Sequence, residues 1–84
     1  MPYGTVHSAR LKDPKLYIRI RKEENKFGPG IHAQWGIRRK AGKETAELQS
    51  IHFDASKFSA GEAKQWLRSH DYRPILFEPA QPQK

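Results

Sequence analysis

Cysteine is absent from the 84 residues, which excludes disulfides and thiolate metal sites and is compatible with a reducing compartment. Long apolar runs are missing too. None exceeds four residues, so no stretch reads as a signal peptide or a membrane span, and the expectation is a cytoplasmic protein with no membrane partner. Acidic residues are scarce in the first half: residues 1–43 hold 11 Lys and Arg against three acids, a net +8, whereas residues 44–84 come to −1, for +7 overall. A chain this basic points to an anionic partner or to plain solubility. Its length suits one domain near the lower limit for an unstapled core. We expect a single domain over residues 1–84, ordered over about 5–79, with a flexible tail at 80–84.

The catalogue of chemical motifs is equally short. Histidines 7, 32, 52 and 70 are 25, 20 and 18 residues apart, without the close pairs that metal sites use. Ser8, Ser50 and Ser69 each stand near a histidine in sequence, but adjacent strand residues point to opposite faces and make no triad. There is no G-x-S-x-G, no phosphate-cradling glycine loop and no recognisable carboxylate pair. The sequence therefore nominates no catalytic residue, no metal ligand and no cofactor, and the expected protein is not an enzyme.

What is present is a patterned fold. Residues 16–21, LYIRIR, alternate as a half-buried strand, with Leu16, Ile18 and Ile20 expected inward. The charged segment 22–30, ending in Gly-Pro-Gly, reads as a loop. Ile31, Ala33, Trp35 and Ile37 mark a second strand, and a basic turn at 39–44 joins it to a third at 47–53, where Leu48 is out of phase with Ile51 and Phe53 and implies a bulge. Ser59 and Glu62 have capping-box spacing at the head of a helix over 60–70. Ala63, Trp66, Leu67 and His70 share its apolar face, and Asp71 stands where a left-handed closing residue often falls. Residues 75–77 form a last short strand. The expected fold is α+β: a small three- to four-stranded, mainly antiparallel sheet in the order β-β-β-α-β, with one helix packed on one face.

One helix leaves the other sheet face open. On that face the pattern puts Tyr17, Arg19 and Arg21 from the first strand, His32, Gln34 and Arg38 from the second, and Gln49 and His52 from the third, with Arg39, Lys40 and Lys43 at the hairpin tip. These types contact phosphates and stack on bases. An ordinary solvated sheet face accounts for them equally well. The partner class stays open between a protein and a nucleic acid.

Three blocks, HSARLKDP at 7–14, IHFDASKFSAGEAKQWLRSHDY at 51–72 and FEPA at 77–80, resemble a small domain of tailed-phage and prophage proteins that recurs near prohead-protease genes. The resemblance implies a phage or prophage origin and a non-catalytic accessory binding role, and supplies no catalytic residues. The expected function is thus a non-enzymatic binding module using the basic sheet face on a protein or nucleic acid. The alternatives are a sequence-nonspecific DNA- or RNA-binding domain and a small hydrolase-associated or catalytic protein.

Overall fold

The computed structural model describes residues 6–80; most of the expected tail, 81–84, lies outside them. Strands β1 (Val6–Arg10), β2 (Arg19–Gly28), β3 (Ile31–Lys40) and β4 (Lys43–Asp54) precede helix α1 (Ala60–Ser69), and β5 (Leu76–Glu78) follows it. They form one five-stranded antiparallel sheet in the order β2-β3-β4-β1-β5. The α+β class holds. The strand count and the β-β-β-α-β order do not, because the VHSAR segment pairs with both β4 and β5. Its short alternation offers too little pattern to be read alone, and those two neighbours supply its backbone partners.

The segment expected as a loop is also largely strand. β2 continues to Gly28 through an irregularity between Glu23 and Gly28, where four residues face only His32 on β3. Asn25, at φ 56°, resolves it locally: its backbone N–H donates to His32 Nδ1 (3.1 Å) and its side-chain oxygen accepts from Gly30 N (2.9 Å). The β3–β4 hairpin closes through Ala41 and Gly42, both at positive φ (53° and 79°), the backbone twist that suits a two-residue connection. Tight closure lets β4 start at Lys43 rather than at 47. The bulge implied by Leu48 is present, since the β3–β4 register slips between Gln34 and Trp35 and Gln49 is the extra residue.

The core sits between α1 and one end of the sheet. Ala9, Ile31, Ile51, Phe53, Ala63 and Leu67 form its buried cluster, and Leu48, Phe58, Trp66 and Phe77 pack around it. Ala9 and Ala63 are fully buried; side chains this small let the helix approach the sheet closely. Phe53 meets Phe58 and Trp66 edge to face, with centroids 5.7 and 5.5 Å apart. His7 ties the margins together: Nε2 lies 2.8 Å from the Phe58 carbonyl oxygen and Nδ1 accepts from Ala80 N at 2.8 Å, so Nε2 carries the proton.

The helix starts as the sequence dictates. Ser59 Oγ accepts from Glu62 N (3.1 Å) and Glu62 Oε1 accepts from Ser59 N (2.8 Å), a reciprocal capping box. Ser59→Ala should therefore cost about 1 kcal/mol, read as a lowered urea midpoint at unchanged slope. Asp71 takes φ 64°, and Tyr72 N donates back to Leu67 O at 2.8 Å, which closes the last turn.

Candidate functional site: a basic arm beyond the helix

Cross-strand partners share a face, so the registers decide which side chains meet. Phe53 and Ile51, under the helix, pair with Ile31 and Ala33 of β3. The same face continues along β3 through Trp35 and Ile37, whose β2 partners are Arg21 and Arg19. Arg19 and Arg21 thus lie on the helix side of the sheet, and Ile20, opposite Gly36, lies on the other. This corrects the expected arrangement on two counts. The two arginines do not join Tyr17, His32, Gln34 and Arg38, and Leu16, Ile18 and Ile20 are not core but 52%, 58% and 39% exposed.

The physical reason has two parts. Alternation tells which residues share a face but not which face the helix covers. In addition, Ile18 N donates to Ile37 O (2.8 Å) while Arg19 is itself the register partner of Ile37. Ile18, just before β2, and Arg19, its first residue, thus address one residue on β3, and the phase slips by one as at a bulge. Beyond the helix there is little inside for an apolar row to find. Residues 39–46 are all exposed, and the hairpin, flanked by β2, runs out as an arm along a molecule 45 × 29 × 22 Å in extent.

On the arm's helix-side face Arg19 and Arg39 converge on Glu44, at 3.0 and 3.3 Å, and hold its carboxyl below the usual value. Trp35 Nε1 donates to Glu23 Oε1 (2.9 Å). On the opposite face the Tyr17 ring lies flat over Gly36, where a β-carbon would come within 2.4 Å of it. Its hydroxyl donates to Glu47 Oε1 at 2.9 Å, and the Arg38 guanidinium sits 5.4 Å from the ring centroid. Burial, reinforced by Glu47, raises the Tyr17 phenol above its ordinary value. Arg38 also approaches Glu47 at 3.5 Å. Among the described residues, Arg21, Lys40 and Lys43 form no ion pair with a carboxylate.

The remaining expected contacts turn out to be structural. His32 and His52 are register partners, but His32 is buried and engaged at both nitrogens, accepting from Asn25 N and lying 2.9 Å from Asp54 Oδ1 through Nε2. Gln49 is buried and donates to the Lys12 carbonyl oxygen at 2.8 Å. Gln34 is half-buried opposite Lys22. His52 is driven from the ordinary 6.5 to about 4, first by burial and then by Lys22 and His32, so it is neutral at pH 7 and attracts no phosphate.

His52 also makes stability depend on pH. Between pH 6.5 and about 4 the unfolded chain binds more protons at this residue than the folded one, so stability is fully present above that window and falls as pH is lowered through it. The full shift corresponds to about 3 kcal/mol, reduced to about 2 because the half-buried ring is partly screened by solvent. Denaturant titrations at both ends of the window should show that loss in the wild type and its absence in His52→Gln, once carboxylate effects common to both chains cancel.

Apart from the arm, a cleft of about 500 Å³ opens between the end of α1 and β5, lined by Lys64, Leu67, Arg68, Asp71, Tyr72, Arg73, Pro74 and Phe77. No histidine, serine or carboxylate pair lines it. Among the described residues no cluster of three or more His, Asp or Glu is placed to hold a metal ion, and no helix is long and apolar enough to cross a membrane. What sequence reading missed is the apolar trio at the arm's edge. Its one signal in the sequence is the LYIRIR alternation at 16–21, which a half-buried strand explains equally well. No family model, curated protein or solved structure matches the chain.

Proposed function

We propose that this chain is a non-enzymatic binding module whose basic arm engages an acidic protein partner. The observation that carries this reading is that one arm holds both the exposed cations Arg21, Lys40 and Lys43 and the exposed aliphatic residues Leu16, Ile18 and Ile20. A nucleic acid uses the cations, through counterion release at its phosphates, but gains little from three aliphatic side chains. A protein surface uses both. An accessory role in a phage or prophage setting belongs to the same proposal and rests on the sequence resemblance.

The second reading, nonspecific nucleic-acid binding, is favoured by the exposed Arg39, Lys40 and Lys43 around the hairpin turn. Titrating the full chain with a glutamate-rich peptide, and with short single- and double-stranded oligonucleotides over a salt series, separates the two. We expect the peptide to bind, Lys40→Glu with Lys43→Glu to weaken it about tenfold through lost charge complementarity, and the oligonucleotides to bind only at low salt. Tight oligonucleotide binding with a silent peptide would transfer the arm to the nucleic-acid reading. Silence from both would remove the arm as a binding surface.

A further inference from the structure

Among the described residues the arm has an unpaired margin as well as two faces. β2 is the terminal strand of the sheet, and each residue from Arg19 to Lys26 is exposed. A terminal strand leaves on its outer side a row of backbone N–H and C=O groups without strand partners, a template for one more strand. The opposite margin, β5, is only three residues long. Leu16, Ile18 and Ile20 are three of the five large hydrophobic residues that stand exposed among the described residues, and all three fall at the entry to β2. A solvated margin has no need of them.

We infer that the β2 edge accepts an extended segment of an acidic protein partner as a sixth, outermost strand, one whose residues alternate acidic and apolar. The inference rests on the proposed reading of the arm and specifies how the partner is held. Along β2 the helix-side row presents Arg19 and Arg21, and the other row presents Ile20 between them. An added strand in register sets its own alternate residues beside these. Carboxylates on one of its faces meet the arginines, and aliphatic side chains on the other meet Ile20. Arg21 is the stronger electrostatic anchor, because Arg19 already lies 3.0 Å from Glu44. Main-chain hydrogen bonds supply affinity and the two rows supply specificity, as in strand-addition recognition generally.

A second copy of this chain fits the same edge poorly. Pairing β2 with itself about a two-fold axis at Ile20 sets Arg19 against the other copy's Arg21, between chains that each carry +7. Cations on an edge also deter unwanted pairing, but that role calls for no aliphatic companions.

The test uses three peptides with the full chain: an alternating Glu-Val peptide, a block-sequence peptide of identical composition, and the alternating peptide N-methylated at every second residue so that one edge loses its donors. The alternating peptide should bind tightest. The block and N-methylated peptides should each be about tenfold weaker, the size of one or two net hydrogen bonds, and Arg21→Glu should weaken the alternating peptide similarly. Amide exchange over residues 19–23 should slow on binding. Equal binding by all three peptides would overturn strand addition while leaving the acidic-partner reading in place. Failure of every acidic peptide would overturn both. A dimer that forms through β2 without peptide would show that the edge belongs to a second copy.

Discussion

Phe53→Ala should destabilise the fold by about 3 to 5 kcal/mol, the range for a deleted core aromatic. Phe53 has no exposed surface and is among the largest fully buried side chains. It stands between Phe58, just before the helix, and Trp66, on it. Its loss opens a cavity where sheet and helix meet, and the neighbouring rings cannot refill it without leaving their edge-to-face geometry. A domain of this size commonly has only about 5 to 15 kcal/mol of stability, so the substitution removes a large share of it. Chemical denaturation gives the value directly. A loss below about 1 kcal/mol would mean that the helix does not close on β4 as described.

Gly36→Val should cost about 1 to 3 kcal/mol although valine is the better strand former. The strand preference contributes at most about 1 kcal/mol. Against it stands overpacking of about 1 to 3 kcal/mol, because a β-carbon here would lie within 2.4 to 2.6 Å of Tyr17 ring atoms that include Cγ. An atom so near the backbone cannot swing clear without moving the whole ring. Displacing the ring also breaks the Tyr17 Oη to Glu47 hydrogen bond, about another 1 kcal/mol. The cause is checked by a double-mutant cycle. With Tyr17→Ala in the background, Gly36→Val should lose most of its cost, since nothing remains to clash. A penalty of the same size in both backgrounds would place the strain elsewhere.

Local features were legible in the sequence because they are written in contiguous residues. The Ser59 and Glu62 box, the closing Asp71, the basic hairpin turn and the bulge beside Leu48 each follow from spacing over a few positions. What was not legible depends on partners distant in the chain. β1 is a strand because β4 and β5 flank it. β2 extends through KEENKFG because Asn25 bridges an irregularity by bonding to His32 and Gly30.

The candidate site suffered most from this limit. Alternation placed Arg19 and Arg21 together correctly, but the phase slip at Ile18 put them on the helix side, away from Tyr17 and Arg38. His32 and Gln49 looked like ligand contacts because they are polar. Each is in fact buried against a specific backbone or carboxylate partner, which no one-dimensional pattern records. Lys40 and Lys43 survive as binding candidates because a two-residue hairpin tip is exposed whichever face is covered. The edge trio is not legible in the sequence, because an apolar residue in an alternating strand is normally core and nothing local reveals that the helix stops short of it.

The most direct measurement is an amide-resolved NMR titration of the full chain with a glutamate-rich peptide. Shifts confined to Ile20, Arg21, Lys40, Lys43 and their immediate neighbours are the expected result, with Lys64, Arg68 and Arg73 around the helix-end cleft unmoved. Shifts centred on that cleft, with the arm silent, would contradict the account and relocate the function to the opposite end of the sheet.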